Sequence, residues 1–167
     1  RFKEIATSLS RQFSANRELT TSLEKRVEER TAELIASEEK FRLLINNSHD
    51  IIHTLNPEGV FTFVSPAWTS HLGHPLEEVV GHSIAKFIHP DDLAICTAAL
   101  NELFSTGQLQ TNIEYRVRHT DKSWRCHSSS TVPIKDKAGK VIGGQGIAKD
   151  VTVQKKLEDA GAKAELK

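Results

Sequence analysis

The sequence predicts an α+β fold: a five-stranded antiparallel sheet with short helices on one face, preceded by a long helix. Two observations lead to this prediction. Residues 1–45 contain neither proline nor glycine and repeat apolar side chains every seven residues, as a long helix does. From residue 50 onward, two strand patterns precede several short helical segments, and three more strand patterns follow. Because the last three strands are joined by short turns, they favour an antiparallel sheet with helices on one face over a doubly wound sheet.

The long helix carries a heptad stripe of the kind found in coiled coils. The seam residues of this stripe are Phe13, Leu23, Val27, Arg30 and Leu34. A lone helix cannot bury such a stripe, so we expect a homodimer in which two copies pack along it. In an alternative arrangement, residues 1–37 fold back over the globular domain as an amphipathic cover. The many charges within residues 23–30 leave little room for a broad buried face and argue against this alternative.

The globular part alternates between strand and helix signals. The predicted strands cover residues 50–55, 60–64, 110–119, 123–135 and 140–149. Ser65 followed by proline opens the helical segment between the second and third strands, and residues 89–92 open its longest helix. Glycines at 143, 144 and 146 predict a close backbone approach or a kink in the last strand.

Composition excludes several classes of partner. Lys plus Arg and Asp plus Glu both number 22, so the formal net charge is zero and no segment is basic enough for nucleic acid. No apolar run reaches the roughly 18–20 residues needed to cross a bilayer, so we expect no membrane contact by these residues. Cys96 and Cys126 lack the spacing of a zinc site or disulfide scaffold, which favours a reducing, cytosolic compartment. Because the sequence starts without Met and ends in a helical pattern, we expect a piece of a longer protein.

Several short segments occur in a characteristic order and spacing. They cover residues 48–52, 57–59, 64–68, 72–73, 87–92, 114–116 and 139–152. Together they resemble the PAS family of sensor domains, which implies a PAS fold at about residues 39–152. The family usually has asparagine where Ser65 stands and aspartate where Asn56 stands, but both replacements can still bond to a turn backbone. The resemblance, and the lack of common enzyme motifs, imply that the chain has no catalytic residues.

The segments on either side of the PAS region resemble signalling helices. Residues 1–38 are similar in composition to helices that precede PAS domains in membrane-bound sensor kinases, and residues 153–167 suit an output linker helix. This implies a cytoplasmic relay module of a bacterial sensor histidine kinase, tethered to the inner membrane by upstream segments, with a kinase or cyclase domain downstream. The alternatives are a haem- or flavin-dependent redox or gas sensor, a fragment of a diguanylate cyclase receptor, and a structural dimerisation domain.

Residues that hold cofactors in other PAS domains have no counterpart here. Haem-binding members usually ligate iron through a histidine on the long helix, but residues 91–104 contain none, and Cys96 is the only ligand candidate there. Members that form a flavin photo-adduct use a cysteine near residues 84–88, which is also missing. Neither haem nor flavin is therefore required, and the cofactor stays unassigned. We expect no metal site. A zinc ion needs a closed set of ligands, and the spacing of His71, His74, His82 and His89 does not ensure that their side chains point to one ion.

A pocket between the sheet and the helices is the expected place for a small-molecule ligand, or for side chains that fill it. Its candidate lining residues are His53, Phe63, Trp68, Cys96, Tyr115 and His127. His53 and His127 are polar residues within strand patterns. Each either points into the pocket or lies on the opposite face, because a register shift of one residue exchanges the two faces of a strand.

Asp150 and Thr152 match the family's Asp-x-Thr signature, at the junction of the last strand and the exit helix. The first amides of a helix have no partner within it, and a short oxygen-bearing side chain just upstream can accept one of them. We therefore expect these two residues to hold the exit helix at a fixed angle and to couple the sheet to an output domain.

Overall fold

The computed structural model describes residues 1–165, which divide into two units. The first covers Arg1–Leu44, and the second begins at Ile45. Helix α1, Phe2–Asn46, includes every residue of the first unit except Arg1 and contains no buried residue. The seam residues Phe13 and Leu34 are 79% and 66% exposed, so the heptad stripe is open in the single chain. The predicted long helix is confirmed, and its pairing with a second copy stays a prediction.

The second unit is built on a five-stranded antiparallel sheet, as the sequence predicts. Its strands are β1 Ile51–Leu55, β2 Phe61–Val64, β3 Gln110–Arg118, β4 Trp124–Lys135 and β5 Val141–Asp150. Their order across the sheet is β2-β1-β5-β4-β3. The first and last strands along the chain are therefore neighbours in the centre. Strand β5 pairs with β1 on one side and with β4 on the other.

Helical segments connect β2 to β3 and cover one face of the sheet. They are α2 Ala67–Leu72, three single 3₁₀ turns at Leu76–Glu78, Ile84–Lys86 and Pro90–Asp92, and α3 Leu93–Thr106. Helix α4, Thr152–Glu165, follows β5. Gly73 ends α2 with φ of 81°, a left-handed conformation that glycine adopts without steric cost.

An aromatic cluster forms the centre of the core. Phe61, Trp68 and Phe87 are at most 5% exposed. Their rings meet edge to face, with centroids 5.1 Å apart for Phe61 and Trp68 and 5.3 Å apart for Trp68 and Phe87. This geometry is favourable beyond the area that it buries. The cluster joins β2, α2 and the 3₁₀ turns into one packed layer.

A bulge in the first hairpin decides which side chains of β2 face the core. The register shifts between Thr54 and Leu55 of β1. As a result the strand does not alternate: Phe61 and Val64 are buried, whereas Phe63 is 38% exposed. Phe63 therefore lies outside the pocket, contrary to the sequence prediction, and Phe61 takes the inward position.

The two replacements relative to the family pattern keep their role in the turns. Asn56 Oδ1 accepts the amides of Glu58 and Val60 at 3.1 and 2.9 Å. Ser65 is fully buried, and its Oγ accepts the amide of Ile52 at 3.0 Å. Both ends of the first hairpin are thus closed by side-chain oxygens, as expected from residues of this type.

An ion pair holds the start of α3 against β3. The Asp92 carboxylate accepts hydrogen bonds of 2.8 Å from the Arg116 Nε, Nη2 and backbone amide. These hydrogen bonds lower the pKa of Asp92 to about 2, against the opposing effect of burial. The pair fixes the edge of the helical layer that lies over the inner face of the sheet.

Candidate ligand cavity and signalling junction

An internal cavity of about 50 Å³ lies between the sheet and the helical layer. All five strands contribute to its wall, together with α2, α3 and residues near the 3₁₀ turns. By volume it has room for roughly one or two water molecules, where a drug-sized ligand needs a pocket of roughly 300–1,000 Å³. The fold therefore leaves a small enclosed space at the centre of its core.

Four of the six predicted pocket residues line this cavity. They are His53, Trp68, Cys96 and Tyr115. Phe63 lies elsewhere because of the bulge in the hairpin. His127 is only 1% exposed but does not line the cavity. The structure thus brings together residues from four distant parts of the sequence.

His53 lies on the inner face of β1, beside Gly146 of β5. A Cβ at position 146 would collide with the His53 imidazole, so only glycine leaves room for this ring. This is the close backbone approach that the glycine pattern predicts. Burial, and after it the nearby His127, lowers the pKa of His53 to about 4. The ring is therefore neutral at pH 7 and can both donate and accept a hydrogen bond.

The remaining ionisable side chains of the wall are also uncharged. Burial raises the pKa of the Cys96 thiol to about 12, with Asp92 adding to the effect. Burial likewise raises the pKa of Tyr115. No Asp, Glu, Lys or Arg is among the described residues that line the cavity. Its wall carries hydrogen-bonding groups but no charge at neutral pH.

One polar atom of the cavity wall, Trp68 Nε1, is buried without a hydrogen-bond partner among the described residues. The Ser129 hydroxyl, which also lies in the wall, bonds to the Tyr115 hydroxyl and so opposes the effect of burial on the pKa of Tyr115. A buried polar atom without a partner costs roughly 1–3 kcal/mol, so such atoms usually mark a place for a water or a ligand. Sequence reasoning missed Ser129. The inward alternation of His127, Ser129 and Thr131 along β4 was the available signal.

His127 links the cavity wall to the end of β5. It pairs with Tyr115 on one side and with Asp150 on the other. Burial lowers the pKa of His127 to about 4, although the Asp150 carboxylate opposes this. Its Nε2 is buried without a hydrogen-bond partner. His127 therefore lies on the inner face of the sheet, between the cavity and the exit helix rather than in the cavity wall.

The exit helix begins at a junction built from Asp150 and Thr152. Asp150 Oδ1 accepts the Thr152 amide at 2.8 Å, which is the bond predicted from helix-start chemistry. Burial opposes the ionisation of Asp150, but the hydrogen bonds from Thr152 lower its pKa overall. Thr152 itself does not cap the helix. Its Oγ1 instead accepts the amide of Cys126 in β4 at 2.9 Å.

Further contacts tie α4 to the sheet. The Val151 amide donates to the Cys126 carbonyl at 2.8 Å. One turn into the helix, Lys155 Nζ lies 2.8 Å from Glu114 Oε2 of β3. The sequence did not predict that Cys126 and Glu114 contact α4, because both residues lie far from this helix along the chain. The start of α4 is thus bonded to β3, β4 and β5.

Within residues 1–165, no group of three or more His, Cys, Asp or Glu side chains could hold a metal ion. The same part of the chain contains no helix that is both long and apolar enough to cross a membrane.

The chain is similar in sequence to parts of two longer proteins. The chain is 29% identical to White collar 1 protein of Neurospora crassa over 83 residues, which cover 50% of this chain and 7% of that protein. It is 29% identical to the methanogenesis regulatory histidine kinase FilI of Methanothrix harundinacea over 124 residues, or 71% of this chain and 13% of FilI. The chain therefore corresponds to a small part of these relatives.

Solved structures and a family model agree on the fold. The sensory box histidine kinase/response regulator structure from Burkholderia thailandensis aligns with a TM-score of 0.60 at 29% identity, covering 76% of this chain and 97% of that one. The PAS domain of the HTR-like protein from Haloarcula marismortui aligns with a TM-score of 0.64 at 22% identity, covering 74% and 98%. The model of the PAS fold matches residues 61–148, more than half of the chain. The chain belongs to the PAS family and contains a PAS sensor domain.

Proposed function

We propose that this chain is the sensor and relay module of a bacterial signal-transduction receptor, and that its output is a movement of α4. In this proposal the receptor is a sensor histidine kinase. Segments upstream of residue 1 tether it to the cytoplasmic side of the inner membrane, and a kinase or cyclase domain follows α4. Two similar proteins are named as histidine kinases, FilI and the Burkholderia protein, which supports this assignment.

The bond between Thr152 and β4 is the observation that carries the proposal. Thr152 is the first residue of α4 and is 5% exposed, and its hydroxyl is bonded to the backbone of Cys126. A slack linker would absorb a movement of the strands. A helix that is hydrogen-bonded to β4 and capped by Asp150 of β5 must instead follow them.

Replacement of Thr152 by valine tests this coupling, because valine keeps the branched shape and removes the hydroxyl. We expect the PAS core to stay folded, at a cost of about 1–2 kcal/mol. The full-length receptor should lose its difference in output with and without stimulus, and hydrogen exchange should show faster opening of the first turn of α4. Thr69→Val is the matched control, because it removes a hydrogen bond of 2.8 Å to the His74 carbonyl away from the junction. A normal response of Thr152→Val would show that the junction is only a linker.

We further propose that α1 forms a parallel homodimer along its seam. The open apolar stripe supports this, since a helix of 45 residues with no buried residue lacks the packing that normally stabilises helices. Spin labels at Glu24 should lie close together in the dimer. Sedimentation equilibrium that shows a monomer at high micromolar concentration would overturn the proposal.

A sensor that depends on haem or flavin is the alternative to a cofactor-free module. Either group is far larger than the cavity of about 50 Å³, so the core would have to repack around it. An absorption spectrum of freshly purified protein separates the two, because a Soret or flavin band would overturn the cofactor-free proposal.

A further inference from the structure

The start of α4 lies beside a buried histidine that the proposed relay does not use. His127 is 1% exposed and lies directly opposite Asp150 in the pairing of β4 with β5. Residues opposed in this way have Cβ atoms roughly 4.5–5.5 Å apart on one face of a sheet. The carboxylate of Asp150 is the group that caps α4, since its Oδ1 accepts the Thr152 amide at 2.8 Å. A charge on His127 therefore acts next to the bonds that hold the exit helix.

Titratable side chains from four elements surround the His127 imidazole. They are His53 of β1, His71 of α2, Tyr115 of β3 and Asp150 of β5. His53 and Tyr115 are neutral at pH 7, because burial lowers the pKa of His53 and raises that of Tyr115. Charged side chains at the starts of α3 and α4 are engaged in ion pairs, namely Asp92 with Arg116 and Lys155 with Glu114. Asp150 and His71 are the groups whose charges act on His127.

Two opposing effects decide whether His127 takes up a proton. Burial is the larger effect and lowers the pKa of His127 to about 4, whereas the Asp150 carboxylate attracts the proton. An imidazolium also donates from both ring nitrogens, and His127 Nε2 is buried with no partner among the described residues. The closed junction therefore excludes the proton. An opening that brings water to the ring removes the effect of burial and leaves the attraction to Asp150.

Such an opening can start at the end of the pairing between β4 and β5. His127 pairs with Asp150, the last residue of β5. The bonds beyond this pair belong to the junction, where the Val151 amide donates to the Cys126 carbonyl and Thr152 Oγ1 accepts the Cys126 amide. The ends of elements open more readily than their centres. Exposure of His127 by this route releases the start of α4.

From this arrangement we infer that His127 and Asp150 form an acid-sensitive latch, which holds α4 against the sheet while His127 is neutral and releases it when His127 takes up a proton. The inference rests on the relay proposed above and adds a form of regulation to it, because acid then acts on the element that carries the output. The pKa of His127 is about 4 in the closed junction, against 6.5 for an exposed histidine. The open proportion therefore rises as the pH falls below 6.5, by about 10-fold between pH 7.5 and pH 5.5.

Hydrogen exchange of the backbone amides of the chain, followed by NMR, tests the latch. The reporters are the Val151 and Thr152 amides, which are bonded at the start of α4. After correction for the pH dependence of intrinsic exchange, their protection should fall about 10-fold from pH 7.5 to pH 5.5. In His127→Gln, which does not titrate, protection should be the same at both pH values. His82→Gln is the matched control and should keep the 10-fold fall, because His82 is exposed and lies outside the cluster.

A second replacement and a second set of amides complete the test. His127→Leu also does not titrate and needs no hydrogen bond at the buried position, so it should abolish the fall even if His127→Gln does not fold. Amides in the centre of β1 should stay more protected than those of Val151 and Thr152 at both pH values. Equal protection of the two regions would mean that the whole sheet opens at once and would overturn the inference. A fall of the same size in the wild type and in a folded His127 variant would also overturn it.

Failure of the latch and failure of the relay are distinguishable. The exchange measurement varies the pH and needs no output domain, whereas the output test of Thr152→Val compares stimulated and unstimulated receptor at one pH. Protection that does not depend on pH, together with loss of the response in Thr152→Val, would remove the latch and leave the relay.

Discussion

Replacement of Gly146 by alanine should destabilise the PAS unit because the new methyl group collides with the His53 imidazole. Overpacking of a buried site costs roughly 1–3 kcal/mol. Alanine also lowers the entropy cost of ordering a strand glycine, a gain of about 0.5–1 kcal/mol. The net loss should therefore be no more than about 2.5 kcal/mol. Thr131 Oγ1, 3.0 Å from the added Cβ, is a tight contact that a small adjustment relieves.

A second substitution identifies the imidazole as the cause. In a His53→Ala background the ring is gone, so Gly146→Ala should become neutral or stabilising by up to about 1 kcal/mol. The coupling between the two sites is then roughly 1–3 kcal/mol. Urea unfolding of the four proteins, with a changed midpoint and an unchanged slope, measures it. If Gly146→Ala lowers the free energy of unfolding equally with and without the imidazole, the His53 ring does not pack against position 146.

Three further predictions concern charge and pairing. The pKa values of His53 and His127 lie near 4 in the folded chain, against 6.5 when unfolded. Stability should therefore fall as the pH drops from 6.5 to 4, and His127→Gln should remove about 1–3 kcal/mol of this dependence in urea titrations at each pH. The pKa of Asp92 is lowered to about 2 from 3.8, so its contribution is present above pH 3.8 and lost as the pH falls towards 2. Asp92→Asn should lower the free energy of unfolding by about 1–2 kcal/mol at neutral pH. Solvent screening limits this value, because the Arg116 side chain is 39% exposed. If the stability of Asp92→Asn fell with acid in the same way as that of the wild type, the prediction would be wrong. Arg30→Leu places an apolar side chain in the seam and should raise the Tm and tighten the dimer in sedimentation experiments, whereas unchanged values would argue against a seam at this position.

Much of the fold could be predicted because its signals are local. The strand predicted at 123–135 is found at Trp124–Lys135, and the strand predicted at 140–149 is found at Val141–Asp150. Alternation of side chains and turn residues at short range are sufficient for this. The cap formed by Asp150 is also local, since donor and acceptor are two residues apart.

The contacts that build the cavity and the junction are not local. One bulge between Thr54 and Leu55 moves Phe63 out of the core, and no residue near Phe63 signals it. Thr152 was expected to serve its own helix, but its hydroxyl bonds to Cys126, which lies 26 residues earlier in the chain. Such partners depend on which strands pair and in which register.

The sequence by itself determined the elements of this protein, their order and the family to which they belong, because periodicity, turn chemistry and helix starts act over a few residues. Only the tertiary structure decided that His53 and Ser129 share one uncharged cavity and that α4 is bonded to the sheet through Thr152. The physical reason is that a side chain's face and partners follow from strand pairing, and a shift of one residue in that pairing reverses every choice of face.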